Sequence, residues 1–326
     1  MHNITKIGVY TSGGDAPGMN AAVRAVVRTA MFYKIEVVGI QMGYRGMLEK
    51  RFIPMQSQSV SKIINRGGTI LQTSRCPEFE DFEYRKTAYD NIKAEGIDAL
   101  VVIGGDGSFR GAMALESEQD IPIVGVPATI DNDIYGTDFT IGFDTAINTA
   151  MEAIDKIRDT AQSHNIVFFV EVMGRDAGFI GLNTGIATGA EVTLVPEIIT
   201  DIESLCYYLV AERRKNKTSG IIIVSEGGPM GSAAEVASQV QQRIPDYDTR
   251  VTTLGHIQRG GSPTCNDRVL ASILGYEAVG ALLDNHTGVM VGRSQGKITL
   301  TPFGEACSKH NKIDHSLYEI TKILSV

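Results

Sequence analysis

Short apolar runs alternate along the chain with longer stretches in which apolar side chains recur every three or four positions. This is the pattern of buried strands separated by amphipathic helices. The runs predict strands over 6–11, 36–41, 99–103, 123–126, 166–172, 191–195, 221–225 and 251–254, and the periodic stretches predict helices over 20–32, 145–161, 202–215 and 268–283. Thr200 and Glu203 have capping-box spacing and predict the start of the third helix. Strands that alternate with helices build a mainly parallel sheet covered on both faces, so the chain reads as α/β. No internal repeat and no Pro- or Ser-rich linker marks a domain boundary.

Composition narrows the class. At about 150 residues per domain, 326 residues favour two domains, and 43% hydrophobic with 21% charged residues is ordinary for a globular chain. With 30 Lys and Arg against 38 Asp and Glu, the net charge of -8 argues against broad binding to nucleic acid or an anionic membrane. A cleft can still gather arginines for a small anion. Cys76, Cys206, Cys265 and Cys307 form no CxxC pair, which argues against a zinc site or a redox dithiol and reads as a reduced thiol set. No secretion signal and no apolar run of the ~18 to 20 residues needed to span a bilayer is found, so a cytoplasmic location is expected.

Ligands of open α/β sheets bind beyond the carboxyl ends of the strands, which directs attention to the loops there. After the first strand comes Thr11-Ser12-Gly13-Gly14-Asp15-Ala16-Pro17-Gly18-Met19-Asn20, whose glycines let backbone amides face a phosphate at a helix start; a plain tight turn also explains it. It matches neither GxGxxG nor the Walker A pattern. Gly104-Gly105-Asp106-Gly107-Ser108 offers the same close approach together with a carboxylate able to hold magnesium, though Asp106 could equally cap a helix. In Thr129-Ile130-Asp131-Asn132-Asp133, two carboxylates that face opposite sides would let one meet the substrate while the other supports a metal or a neighbouring loop; an Asx turn is the competing reading. Met173-Gly174-Arg175, Ser225-Glu226-Gly227-Gly228 and Gly255-His256-Ile257-Gln258-Arg259-Gly260-Gly261 add arginine forks that match phosphate oxygens, with Glu226 and His256 able to bond sugar hydroxyls. Each of these last three alone is more often a surface salt bridge or a satisfied histidine; six such loops in one chain are hard to explain as surface decoration, and the carboxylates of the third suit phosphoryl transfer.

In their order along the chain, and above all in TIDND at 129–133 and GHIQRGGSP at 255–263, these loops resemble the ATP-dependent 6-phosphofructokinases of the bacterial type, from Lys6 to the last helix. The resemblance implies two three-layer α/β domains with mainly parallel sheets and the active site in the cleft between them: a larger ATP-binding domain of 1–141 plus 258–305 and a smaller sugar-phosphate domain of 142–257 plus 306–326. It implies transfer of a phosphoryl group from ATP to the 1-hydroxyl of fructose 6-phosphate, the committed step of glycolysis. Gly14, Arg75, Cys76, Gly105, Asp106, Gly107 and Ser108 would line the ATP site, with Asp106 on Mg2+. Asp131 would be the general base. Thr129, Ile130, Met173, Gly174, Glu226 and His256 would hold the sugar, Arg175 would also stabilise the transferring group, and Arg250 and Arg259 would hold the 6-phosphate. Gly107 and Ala128 stand where pyrophosphate-using relatives commonly have aspartate and lysine, which favours ATP as donor. Members are usually homotetramers with shared sites. Arg24, Arg28, Arg158, Gly189, Glu191, Lys215 and Lys217 match much of the family's nucleotide effector site, although Ser57 stands where regulated relatives often carry arginine.

One position departs from the pattern. Ile166 stands where many bacterial members place an arginine that reaches a neighbouring subunit's sugar phosphate, and isoleucine can neither carry charge nor donate a hydrogen bond. At about 1.5–3 kcal/mol for such a contact, binding would weaken by roughly 10- to 100-fold, and Ile166→Arg would restore it if the residue faces that pocket. A weakened or regulatory paralogue, or a kinase for a related sugar phosphate, is the alternative reading.

Overall fold

In the computed structural model, which describes residues 4–214 and 219–325, the eight strands and four helices that the hydrophobic pattern predicts are present, among further strands and helices that it does not predict. In chain order they are β1 (Lys6–Thr11), α1 (Met19–Phe32), β2 (Glu36–Ile40), α2 (Gly43–Leu48), β3 (Phe52–Met55), α3 (Phe82–Ala94), β4 (Ala99–Gly104), α4 (Asp106–Gln119), β5 (Ile123–Thr129), β6 (Ile141–Gly142), α5 (Phe143–His164), β7 (Val167–Val172), α6 (Phe179–Thr188), β8 (Val192–Leu194), α7 (Ile202–Arg214), β9 (Gly220–Ser225), α8 (Ala233–Arg243), β10 (Thr249–Thr253), α9 (Cys265–Leu283), β11 (Val289–Ser294), β12 (Lys297–Pro302), α10 (Phe303–Ser308) and α11 (His315–Leu324). Short 3-10 helices lie at Pro77–Glu80 and Gly255–Arg259.

Two compact units share these elements. The first holds the chain up to Ile130, Ile134–Thr145 and Arg259–Asn311; the second holds Asp131–Asp133, Ala146–Gln258 and the chain from Lys312 onward. The sheet of the first unit runs β12-β11-β5-β4-β1-β2-β3, with β6 beside β5. Its centre is parallel and its two edges are antiparallel. Strand alternation splits the side chains between faces. Tyr10, Leu100 and Val102 pack with Ile92 of α3, Phe109 of α4 and Phe303 of α10, while α1 and α9 lie together against β1, β4 and β5. In the second unit the all-parallel sheet β10-β7-β9-β8 packs Phe169, Ile222 and Val224 against Leu205, Leu209, Val236 and Val240 of α7 and α8. Leu182 of α6 gathers with Ile313 and Tyr318 to form a separate cluster.

Beyond the unpredicted helices α2, α3, α6, α8, α10 and α11 and the short β6, three local features differ from the sequence reading. The cap of α7 is Asp201, not a Thr200–Glu203 box: the Asp201 carboxylate accepts the Ser204 backbone N–H and the Ser204 hydroxyl, each at 2.7 Å. The edge strand β3, which the pattern did not predict, contains Pro54, whose missing N–H is tolerated at an edge. The hairpin β11–β12, also unpredicted, turns through Gln295 and Gly296, both left-handed, as a two-residue hairpin loop demands.

The entry of β1 is clamped from a distance. Asp98 Oδ2 accepts the backbone N–H groups of Thr5 (2.8 Å) and Lys6 (3.0 Å) and the Thr5 hydroxyl (2.8 Å). Burial pushes the Asp98 carboxyl up, but these three bonds outweigh it and hold it below the usual aspartate value. A depressed carboxylate stabilises above its unfolded value and loses that contribution as pH falls through the folded one. Asp98→Ala is expected to cost about 1–3 kcal/mol at neutral pH, and the gap between the two proteins should close on acidification, as read from urea unfolding at several pH values.

Candidate active site

The loops after β1 and β4 belong to the first unit and assemble because β1 and β4 are parallel neighbours, with Thr11 opposite Ile103. The Ser12 N–H donates to the Ile103 carbonyl (3.0 Å), which brings the loop after β1 beside the loop after β4. A β-carbon on Gly104 would sit 2.5 Å from both Ser108 Oγ and the Ser12 carbonyl, and one on Gly13, which is left-handed at φ 81°, would meet Ser108 Oγ at 3.2 Å. Only glycines permit this approach. Ser108 Oγ is buried without a hydrogen-bond partner, and so is Arg259 Nε. Arg259 lies against the same floor: a β-carbon on Gly14 would stand 2.4 Å from its Nη1.

Asp106 opens α4, whose N-terminal end favours negative charge. Its Oδ1 accepts the Gly107 N–H (2.7 Å) and its Oδ2 accepts from Arg110 Nη2 (2.8 Å). Cys307 Sγ donates to the Asp106 carbonyl (3.5 Å), and burial above all pushes this thiol up to about 11. Tyr44, which the sequence reading passed over, donates to the Ser108 carbonyl (2.5 Å) and accepts from Tyr10 (3.2 Å), bracing the first turn of α4 from the core. Arg75 and Cys76 follow a segment tied to the end of β1, where the Thr11 hydroxyl donates to the Gln72 carbonyl (2.9 Å), and Arg45 Nε donates to the Arg75 carbonyl (3.4 Å). Thr129 closes β5, and its β-carbon lies 3.9 Å from where one on Gly105 would stand.

The TIDND segment is not an extended strand. Asn132 is left-handed at φ 56° and buried, so Asp131 and Asp133 are separated by a bend. An extended run would have placed residues two apart on the same face, and the bend is what removes that constraint. Asp267 of α9 braces the chain just beyond: it accepts the N–H groups of Gly142 and Thr145 (2.8 Å each) and the Thr145 hydroxyl (2.5 Å), all buried.

In the second unit, Glu226 gathers the turn after β7. Its Oε1 accepts the N–H groups of Gly174 (3.2 Å) and Arg175 (2.8 Å), and Gln258 Oε1 accepts the Met173 N–H (3.3 Å). Glu226 is therefore an organiser of the arginine turn before any sugar contact. Gly227 is left-handed, and a β-carbon there would strike the Arg175 carbonyl at 2.1 Å. Arg175 and His256 are exposed, and Arg250 is exposed with its guanidinium turned onto Asp248. Further along the same unit, Arg158 donates to the carbonyls of Thr188 (2.7 Å) and Gly189 (3.1 Å) and pairs with Glu191 at 3.6 Å. Arg24 and Arg28 lie on α1 in the first unit, where burial first and the Arg28 charge second lower the Arg24 guanidinium. Lys215 and Lys217 lie outside the described residues.

Ile166 does not present itself as expected. It is only 8% exposed within its own chain, its N–H donates to the Ala161 carbonyl (3.1 Å), and its carbonyl accepts the Gly220 N–H (3.3 Å). The side chain is packed rather than offered outward. Ile166→Arg is therefore expected to cost about 2–4 kcal/mol by burying an unpaired charge, to lower Tm by several degrees in a thermal melt, and to leave the KM for fructose 6-phosphate unimproved.

The phosphofructokinase family profile matches residues 6–282. The chain belongs to the phosphofructokinase family. Among its curated relatives, an ATP-dependent 6-phosphofructokinase 1 of Thermus thermophilus is 54% identical over 321 residues, covering 98% of this chain and 99% of that one. An ATP-dependent 6-phosphofructokinase 2 of Bacteroides thetaiotaomicron is 51% identical over the full length of both. Among solved structures, phosphofructokinase from Saccharomyces cerevisiae superposes with a TM-score of 0.86 at 36% identity over 98% of this chain, which spans 46% of that longer one. A pyrophosphate-dependent phosphofructokinase from Marinobacter aquaeolei (TM-score 0.85, 24% identity, 96% of this chain and 86% of that one) shares the fold.

Proposed function

We propose that this member of the family transfers the γ-phosphoryl group of ATP to the 1-hydroxyl of fructose 6-phosphate, giving fructose 1,6-bisphosphate and ADP. The observation that carries the reading is identity of half or more along nearly the whole chain with relatives named for that activity. Asp106, Asp131, Arg175 and Arg259 of the motif set are all present. The first unit supplies the nucleotide residues: Gly14, Arg75, Cys76 and 105–108, a glycine floor with the unpartnered Ser108 hydroxyl ready to donate to phosphate. Asp131 accepts the proton of the 1-hydroxyl while the new O–P bond forms and the bond to the ADP oxygen breaks. Arg175, set by Glu226, faces the charge on the transferring group. Thr129, Ile130, Met173, Gly174, Glu226 and His256 hold the sugar, and Arg250 and Arg259 the 6-phosphate. Arg250 must leave Asp248 to do so.

The oxygen donor at Asp106 suits Mg2+, which takes one or two carboxylates and completes its shell with phosphates and water. When bound, it neutralises charge on the nucleotide phosphates. Arg24, Arg28, Arg158, Gly189, Glu191, Lys215 and Lys217 are the residues assigned to a nucleotide effector, and the working form is a cytoplasmic homotetramer. Among the described residues no helix is long and apolar enough to cross a membrane. A coupled assay with ATP or pyrophosphate against several sugar phosphates tests the reading. Magnesium-dependent use of ATP with fructose 6-phosphate and negligible use of pyrophosphate is expected. Faster turnover with pyrophosphate or with another sugar phosphate overturns the donor or acceptor assignment, and no turnover favours a regulatory partner.

A further inference from the structure

The ion pair at the start of α4 joins a residue of the nucleotide site to one outside every motif. Arg110 stands one turn after Asp106, and its Nη2 donates to Asp106 Oδ2 at 2.8 Å. The arginine side chain is half exposed, whereas that of Asp106 is 16% exposed, so the cation covers the carboxylate from the solvent side. The same Nη2 is the nearest atom to the open face of Gly107, 3.9 Å from where a β-carbon would stand, with nothing else within 4 Å. The face left open for the nucleotide phosphates thus has a guanidinium at its rim.

We propose that Arg110 is a further nucleotide-binding residue: it pairs with Asp106 when no nucleotide is bound and would turn onto a nucleotide phosphate oxygen when Mg2+ takes that carboxylate. The inference rests on the proposed ATP reading of these loops. The physical argument is competition. Mg2+ on Asp106 would draw charge from Oδ2 and repel the guanidinium, a guanidinium released over Gly107 favours an anion, and its planar fork matches phosphate oxygens. Because a solvated i,i+4 pair of this kind contributes little, little opposes the exchange. Lys at this position would keep the charge but not the fork.

The test is equilibrium binding of ADP, with and without Mg2+, to the parent, Arg110→Met and Arg110→Lys proteins by calorimetry, with the KM for fructose 6-phosphate as control. The parent is expected to bind Mg-ADP. Arg110→Met should weaken Mg-ADP binding by about 10-fold or more, as one charge-assisted contact is lost, and Arg110→Lys should recover part of it. The KM for fructose 6-phosphate should stay within twofold. Without ADP, removing the competitor should lower the Mn2+ concentration that half-saturates the protein, read by water-proton relaxation. If the parent binds no Mg-ADP, the reading of the loops falls and the inference with it. If the parent binds and Arg110→Met binds equally well, Arg110 is only a solvated ion pair, and the loop reading stands.

Discussion

Asp131→Asn is expected to lower turnover by about 10²- to 10⁴-fold while leaving the affinities for ATP and fructose 6-phosphate within a few-fold of the parent. The amide keeps the size of the carboxylate and cannot take the proton from the sugar hydroxyl. The bend that carries position 131 does not depend on that carboxylate alone, because Asn132 beside it is buried in its left-handed conformation and the Thr140 hydroxyl holds the Thr129 carbonyl at 2.7 Å. A loss confined to kcat is therefore the signature of a missing base, whereas a loss in KM would mean a displaced loop. Steady-state kinetics together with binding of each substrate distinguishes the two. Near-parent turnover removes Asp131 from the base role.

Gly107→Asp should cut kcat/KM for ATP by about 100-fold or more, because a carboxylate set against the nucleotide phosphates juxtaposes like charges at a cost of several kcal/mol, and each 1.4 kcal/mol is about tenfold. The fold should not suffer. A β-carbon at 107 meets nothing nearer than Arg110 Nη2 at 3.9 Å, and an acidic residue in the first turn of a helix is favourable. The KM for fructose 6-phosphate and the Tm are expected to stay at parent values, so the effect isolates the donor side. If kcat/KM for ATP holds within threefold, the nucleotide phosphates do not pass over this face.

Much of this was legible along the chain. Apolar runs and helical spacing located the eight expected strands and four expected helices to within a few residues at their ends, because a buried strand and an amphipathic helix write their period directly into neighbouring positions. Glycine-rich loops after strands were legible for the same local reason: the residue types that let a backbone approach phosphate are themselves contiguous. The edges were less visible. β3 is short and carries a proline, and the turn of β11–β12 is Gln295-Gly296 rather than one of the strongest hairpin pairs.

What the sequence by itself determined was the α/β class, the order of the loops and the chemistry each could hold. Only the tertiary structure decided how those groups are used, since their partners lie far away in the chain. Glu226 is spent on the backbone of Gly174 and Arg175, Asp267 on Gly142 and Thr145, and Tyr44 on the Ser108 carbonyl. Arg259 reaches Gly14 from the opposite end of the sequence, and Ile166, whose identity alone suggested a hole in a binding pocket, is packed within its own chain. Residue type limits which bonds a side chain can make, but burial and distance select the one it makes, and both are set by strands that pair across tens of residues, and in β5 and β11 across more than a hundred.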